Sequence, residues 1–195
     1  MGKIYYMMGK SSSGKDTLYQ EIARRCPGLR RVVPYTTRPI REGEQEGEAY
    51  HFVSEDQLSA MELAGQVIEL RAYDTVCGIW KYFTADDGQI NLEESSYLMI
   101  GTLESYEKMQ EYYGAENLVP IYIEVEDGER LMRALLRERK QPNPGYREMC
   151  RRFLADDRDF SEENLARLGI DKRYENTDME RCLKEITEVI YSGKL

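Results

Sequence analysis

The chain has 195 residues and carries 27 Lys and Arg against 36 Asp and Glu, a formal net charge of −9. That length fits one medium α/β domain with room for a small insert and leaves little for two independent cores. The acidity argues against nucleic acid or an anionic membrane as a partner, and 41% apolar with 10% aromatic residues argues against a disordered chain.

Basic charge is nonetheless clustered. Residues 24–41 hold six Arg (Arg24, Arg25, Arg30, Arg31, Arg38, Arg41) and no acid, and residues 130–152 hold eight basic residues against Glu138 and Glu148. Local basic pockets on an acidic body suit a small polyanion, although Arg24 and Arg25 also fit a solvated helix face. Cys26, Cys77, Cys150 and Cys182 are far apart without metal-like spacing, which predicts free thiols in a reducing cytosol. The apolar start at residues 4–8 is broken by Gly9 and Lys10, so no signal peptide is read, and no run approaches the ~18 apolar residues that span a bilayer. A soluble cytoplasmic protein, monomer or homodimer, is the expectation.

In chain order, residues 3–8 read as a buried strand, and Leu18, Ile22 and Ala23 fall at helical spacing within residues 16–25. A strand over 31–35, a polar loop over 39–47, and short strands at 50–53, 67–73 and 78–84 around an acidic helix at 55–64 follow. Then come a strand at 97–100, a helix at 103–113, a strand at 118–125 and an Arg-rich helix at 128–140 ended by QPNPG. One helix over 146–168, a strand at 172–174 and an amphipathic helix at 179–190 complete the chain. Alternating strands and helices predict a parallel sheet with helices on both faces, into which a smaller β-rich unit is inserted near residues 36–90.

Gly9-Lys10-Ser11-Ser12-Ser13-Gly14-Lys15 follows a strand and opens a helix, the context in which G-x-x-x-x-G-K grips phosphates. The loop amides point inward, the helix N-terminus adds positive potential, and Lys15 supplies a mobile cation. The usual Ser or Thr after the lysine is replaced by Asp16, followed by Thr17. Beside a triphosphate, Asp16 is either a metal ligand or an acid that complements the helix dipole.

Residues 36–53 read TTRPIREGEQEGEAYHFV. Two Arg three apart plus a Tyr hydroxyl can hold a phosphomonoester. Together with the phosphate loop, this segment resembles guanylate kinase, whose acceptor pattern T-T-R-x-x-R-x-G-E-x-x-G-x-x-Y-x-F is matched by Thr36, Thr37, Arg38, Arg41, Gly43, Glu44, Gly47, Tyr50 and Phe52. The resemblance implies a three-layer α/β P-loop fold with a parallel central sheet: a core over 1–35 and 96–195, a β-rich acceptor-binding insert over about 36–90 and an Arg-rich helical lid over about 137–152.

It further implies Mg2+ and ATP bound by Gly9, Ser11, Ser12, Ser13, Gly14, Lys15, Asp16, Thr17 and Asn176, with Asp16 on the metal. GMP would be held by Arg38, Arg41, Tyr50, Glu69, Tyr82 and Thr84. Glu69, in Val67-Ile68-Glu69, matches the family's F-I-E, whose carboxylate accepts from guanine N1–H and N2–H. Tyr82-Phe83-Thr84 is similar to the family's Y-G-T/S. Lys15, Arg38, Arg41 and the lid residues Arg137 and Arg152 would act on the transferring group, Arg133-x-x-x-Arg137 resembling the family's R-L-x-x-R. Arg139 or Arg151 fits as well with a small shift of register. Arg130, Arg133 and Arg137 also fit a solvated helix stripe, a description that suits Arg130.

Four positions depart from the family. Pro34 stands where it has a phosphate-binding Ser, Phe83 replaces a glycine, and Met99 and Gly101 replace both acids of the strand L-D-I-D-M. The activity implied is transfer of the ATP γ-phosphoryl group to GMP. A kinase for another (deoxy)nucleoside monophosphate and a non-catalytic guanylate-kinase-like interaction module are the alternatives, the retained Lys15 favouring catalysis. The single histidine, His51, alternates with Tyr50 and Phe52 and is expected to face solvent. Trp80 and most tyrosines are expected to serve packing.

Overall fold

The computed structural model describes residues 1–41, 43–75 and 78–193, so the expectation for Cys77 lies outside the described residues. Strand β1 (Ile4–Met8) is buried along its whole length and lies at the centre of a five-stranded sheet. Its neighbours are β7 (Ser96–Ile100) and β8 (Leu118–Glu124), flanked by β2 (Leu29–Arg31) and β9 (Arg173–Glu175), and every pairing is parallel.

Side chains alternate across a strand, so β1 feeds two cores. Ile4, Tyr6 and Met8 pack with Tyr106, Met109 and Leu165 on one face. Tyr5 and Met7 pack with Leu18, Ile22, Leu183 and Ile186 on the other. Helices α1 (Lys15–Arg25) and α7 (Met179–Ser192) therefore cover one face, and α3 (Leu103–Tyr113) and α6 (Glu162–Arg167) the other.

A second sheet has the order β4 (His51–Phe52), β3 (Tyr35–Thr36), β6 (Gly78–Ala85), β5 (Val67–Thr75). Helix α2 (Glu55–Leu63) packs on it through Leu58, against Phe83 and Ala85. A capping box starts α2: Gln57 N–H donates to Ser54 Oγ at 3.1 Å, and Ser54 N–H donates to Gln57 Oε1 at 2.8 Å.

Two elements are divided where the sequence reading ran them together, and other ends shift by a residue or two. The strand expected over 31–35 is split, because Pro34 has no N–H and the chain leaves the first sheet there for the second. Gln89 bridges the gap, accepting from Val33 N–H at 2.8 Å and donating to Val33 O at 3.2 Å. The helix expected over 146–168 is two, α5 (Tyr146–Asp159) and α6, because Ser161 caps a new start by accepting from Asn164 N–H at 3.3 Å. Helix α4 (Asp127–Glu138) precedes them and packs beside α5.

His51 is half-buried rather than solvent-facing, its ring 4.7 Å from that of Tyr35 and its Nδ1 2.8 Å from Glu46 Oε1. Cys26 and Cys182 are buried free thiols and Cys150 is an exposed one. No helix among the described residues is long and apolar enough to cross a membrane.

Candidate active site

The loop from Gly9 to Lys15 leaves the carboxyl end of β1, between the two strands that flank it, where open α/β sheets form their binding crevice. Ser12 and Gly14 take positive φ, 64° and 83°, and curl the chain. The Ser12 and Ser13 hydroxyls are buried without a hydrogen-bond partner among the described residues. Buried polar groups are normally paired, so two orphans in one loop fit an absent polar ligand.

Asn176, after β9, closes the loop from behind by donating through Nδ2 to Ser13 O at 2.8 Å. Arg133 donates to Asn176 O at 3.1 Å. The Lys15 ammonium lies 3.2 Å from Asp16 Oδ2, and the Asp16 side chain is 82% exposed. Thr17 is exposed on the first turn of α1.

Arg130 is corrected most sharply. It is not on a solvated stripe but is 1% exposed and among the largest fully buried side chains. Its guanidinium donates to Ser11 O at 3.1 Å and to Asp127 at 2.5 and 3.0 Å, lies 3.5 Å from Asp156, and stacks 4.6 Å from the Phe153 ring. Asp156 Oδ2 accepts from Ser11 N–H at 2.8 Å, and Lys10 reaches Asp157 at 2.7 Å. This ring of charges ties the loop to α4 and α5. Arg137 and Arg152 are exposed, and they line a narrow cleft with Ser11, Ser12, Met149 and Phe153. Arg152 and Arg151 are both bound to Glu148, whose carboxyl they hold down to about 2, Arg151 contributing most.

On the second sheet, Arg38 is buried and makes a two-pronged bond to Glu44 at 2.8 and 2.9 Å. The Arg38 guanidinium beside Glu44 holds that carboxyl below its usual range. Arg38 lies over the Tyr50 ring at 5.5 Å, and Tyr50 meets Tyr82 edge to face at 5.5 Å, so three predicted acceptor residues cluster. Burial, then Tyr82, raises the Tyr50 phenol. Tyr82 also meets Tyr73 edge to face at 5.7 Å, and Tyr73 lines a cleft with Gly9, Ser11 and Lys15, which sets this cluster beside the phosphate loop. Arg41 is exposed, its guanidinium 5.9 Å from the centre of the Trp80 ring, while its backbone N–H donates to Glu44 at 2.8 Å.

Glu69 and Thr84 also meet: the Thr84 hydroxyl donates to Glu69 Oε1 at 2.8 Å. Sequence reasoning missed Arg71, which grips both Glu69 oxygens at 2.9 and 3.1 Å and reaches Thr102 Oγ1 at 3.3 Å. The signal was present, since residues two apart on a strand share a face. Thr102, which also caps α3, lines a cleft of about 370 Å³ with Gly9, Lys15, Tyr73, Gly101 and Asp156. Among the described residues, no group of three or more His, Cys, Asp or Glu gathers to hold a metal.

Comparison with known proteins adds to this geometry. Residues 1–77 match the family model described as guanylate kinase. Guanylate kinase of Rhodopseudomonas palustris is 40% identical over 68 residues, covering 35% of this chain and 31% of that protein. Guanylate kinase of Neisseria gonorrhoeae is 35% identical over 99 residues, 51% of this chain and 46% of the relative. That of Nostoc is 33% identical over 103 residues, 53% and 50%. The chain thus spans about a third to a half of the length of the curated relatives it matches. The crystal structure of guanylate kinase from Anaplasma phagocytophilum superimposes with a TM-score of 0.66 at 19% identity, covering 100% of this chain and 87% of that one. The likeness in fold therefore runs through the whole chain.

Proposed function

We propose that this chain, guanylate-kinase-like in sequence over residues 1–77 and in fold throughout, transfers the γ-phosphoryl group of ATP to GMP, giving ADP and GDP. The observation that carries the reading is the opposition of two sites. A phosphate loop with orphaned Ser12 and Ser13 hydroxyls shares a cleft with Tyr73, which packs edge to face on Tyr82 of the cluster of Arg38, Tyr50 and Tyr82.

The loop amides, Lys15 and the two hydroxyls bind the ATP phosphates, Asn176 holds the loop in shape, and Thr17 borders it on α1. Arg38, already oriented by Glu44, holds the acceptor phosphate in line with Arg41, Tyr50 and Tyr82. Arg137 and Arg152 lie on the edge of the α4–α5 pair, where movement toward the loop would bring cations to the transferring group and exclude water. Residues 137–152 are thus assigned as the lid and the second sheet as the acceptor-binding insert.

A single exposed carboxylate at the loop exit, Asp16, fits the way Mg2+ binds, through one or two carboxylates, substrate phosphates and water. Bound there, the ion would neutralise charge between the β- and γ-phosphates. A cytoplasmic location suits such a reaction. The test is ADP release from ATP with GMP, AMP, CMP and UMP as acceptors. GMP is expected to give the highest kcat/KM of the four, and a higher value for any other, or no turnover at all, overturns the reading.

A further inference from the structure

Glu69 is not free to meet a base in the way a lone carboxylate would. It is 2% exposed, and its oxygens already accept three bonds: Oε1 from the Thr84 hydroxyl and Arg71 Nη2, and Oε2 from Arg71 Nε. Each carboxylate oxygen has two lone pairs, so among the described residues one remains, on Oε2. A base that needs two acceptors, as the N1–H and N2–H edge of guanine does, finds one.

Arg71 changes the offer in a second way. Its side chain is 12% exposed, and it spends Nε and one Nη2 proton on Glu69 and one Nη1 proton on Thr102. Guanidinium carries five protons, so among the described residues two N–H donors remain unspent. Nearby, the acids expected on β7 are absent. Met99 is buried in the core, and the space beside Gly101 is filled by the Tyr6 phenol, whose oxygen would lie 2.0 Å from a Cβ at that position. Glu69 and Arg71 therefore form a neutral, buried pair that can accept one hydrogen bond and donate at least one.

That pattern complements an N–H beside a C=O, the lactam edge N1–H/C6=O of a 6-oxopurine. Adenine presents the reverse, an acceptor N1 beside a donor N6–H2. Glu69 then has no second acceptor to offer the 2-amino group of guanine. We propose that Arg71 is a specificity-determining residue that makes the acceptor class 6-oxopurine nucleoside monophosphates, GMP and IMP alike. The inference rests on the kinase reading above for the identity of the site as an acceptor pocket.

The experiment compares GMP, IMP and AMP with the wild type, Arg71→Ala and Arg71→Lys, by kcat/KM and by equilibrium binding in calorimetry. In the wild type IMP is expected within about fivefold of GMP, and AMP at least about tenfold poorer. Arg71→Ala frees the second Glu69 oxygen, so the GMP-to-IMP ratio should rise about tenfold or more. Arg71→Lys keeps a charge on Glu69, guards against a folding defect, and should raise the ratio less because an ammonium lacks the fixed fork. A wild-type preference for GMP over IMP of about a hundredfold overturns the proposal, as does a ratio that neither variant moves. Failure of the kinase reading is distinct: no acceptor releases ADP, while the binding ratio still tests Arg71.

Discussion

The side-chain amide of Asn176 lies 2.8 Å from the Ser13 carbonyl, in the space a Cβ on Gly14 would need, 2.4 Å from that Cβ. Gly14 is thus fixed twice, by its φ of +83° and by its neighbour. Asn176→Ala is expected to cost about 1–3 kcal/mol of stability for the lost buried bond and to weaken ATP binding. Gly14→Ala should cost more alone than on the Asn176→Ala background, where the clash is gone and only backbone strain remains. Denaturant melts of the two single variants and the double check this, and strict additivity would refute it.

Arg38 and Arg41 are expected to separate, although both stand in the acceptor pattern. Arg41→Ala removes an exposed guanidinium and should raise the GMP KM by roughly 10- to 100-fold, equivalent to about 1.5–3 kcal/mol, with an unchanged melting temperature. Arg38→Ala should weaken acceptor use and also destabilise the fold, because Glu44 loses its partner. The Glu44 carboxyl is lowered from 4.5 by Arg38. Its contribution is therefore present above about pH 4.5 and is lost as pH falls through the lowered folded value. Stability curves between pH 3 and 6 should flatten in Arg38→Ala and keep their slope in Arg41→Ala.

Asp16→Asn should raise the Mg2+ concentration needed both for tight ATP binding and for turnover if the carboxylate holds the metal. As a helix-dipole partner only, Asp16 would contribute about 0.3–1 kcal/mol of stability and leave the metal dependence alone. Calorimetric titration of ATP at several Mg2+ concentrations distinguishes the two, and superimposable curves for wild type and variant exclude ligation.

Gly101→Asp, which restores an acid of the family strand, is expected to destabilise by about 1–3 kcal/mol or more, because its Cβ would sit 2.0 Å from the Tyr6 oxygen and 2.8 Å from Cζ. Tyr6→Phe removes a buried hydroxyl that has no partner and should be nearly neutral. It should rescue Gly101→Asp only in part, since the ring carbon stays. An unperturbed melt of Gly101→Asp would show that Tyr6 moves aside freely.

The phosphate-loop pattern and the segment that brings Arg38 over Tyr50 were legible because each is a recognisable run of residues, whereas the bond between Glu69 and Thr84, 15 residues apart on two strands, was not read. The helix expected over 103–113 is α3, Leu103–Tyr113, in which buried Leu103, Tyr106 and Met109 recur at helical spacing. Arg130 was misread because a helix stripe of cations looks the same whether it faces water or, as here, Asp127 one turn back on its own helix and Asp156 and Asp157 of α5. Pro34 and Ser161 ended elements that periodicity alone ran together. Arg71 was passed over because attention to the carboxylate ignored what else shares its face of β5.

Ser11 is held on both sides of its peptide unit by groups from the other end of the chain, its N–H by Asp156 and its carbonyl by Arg130, 145 and 119 residues away. Ser13 is held by Asn176, 163 residues away. The loop's letters lie within residues 9–15, yet its shape depends on segments synthesised well after it. An emerging polypeptide therefore cannot set the shape of this loop until α4, α5 and the turn behind β9 have left the ribosome, and the order of synthesis separates the loop's appearance from its final form.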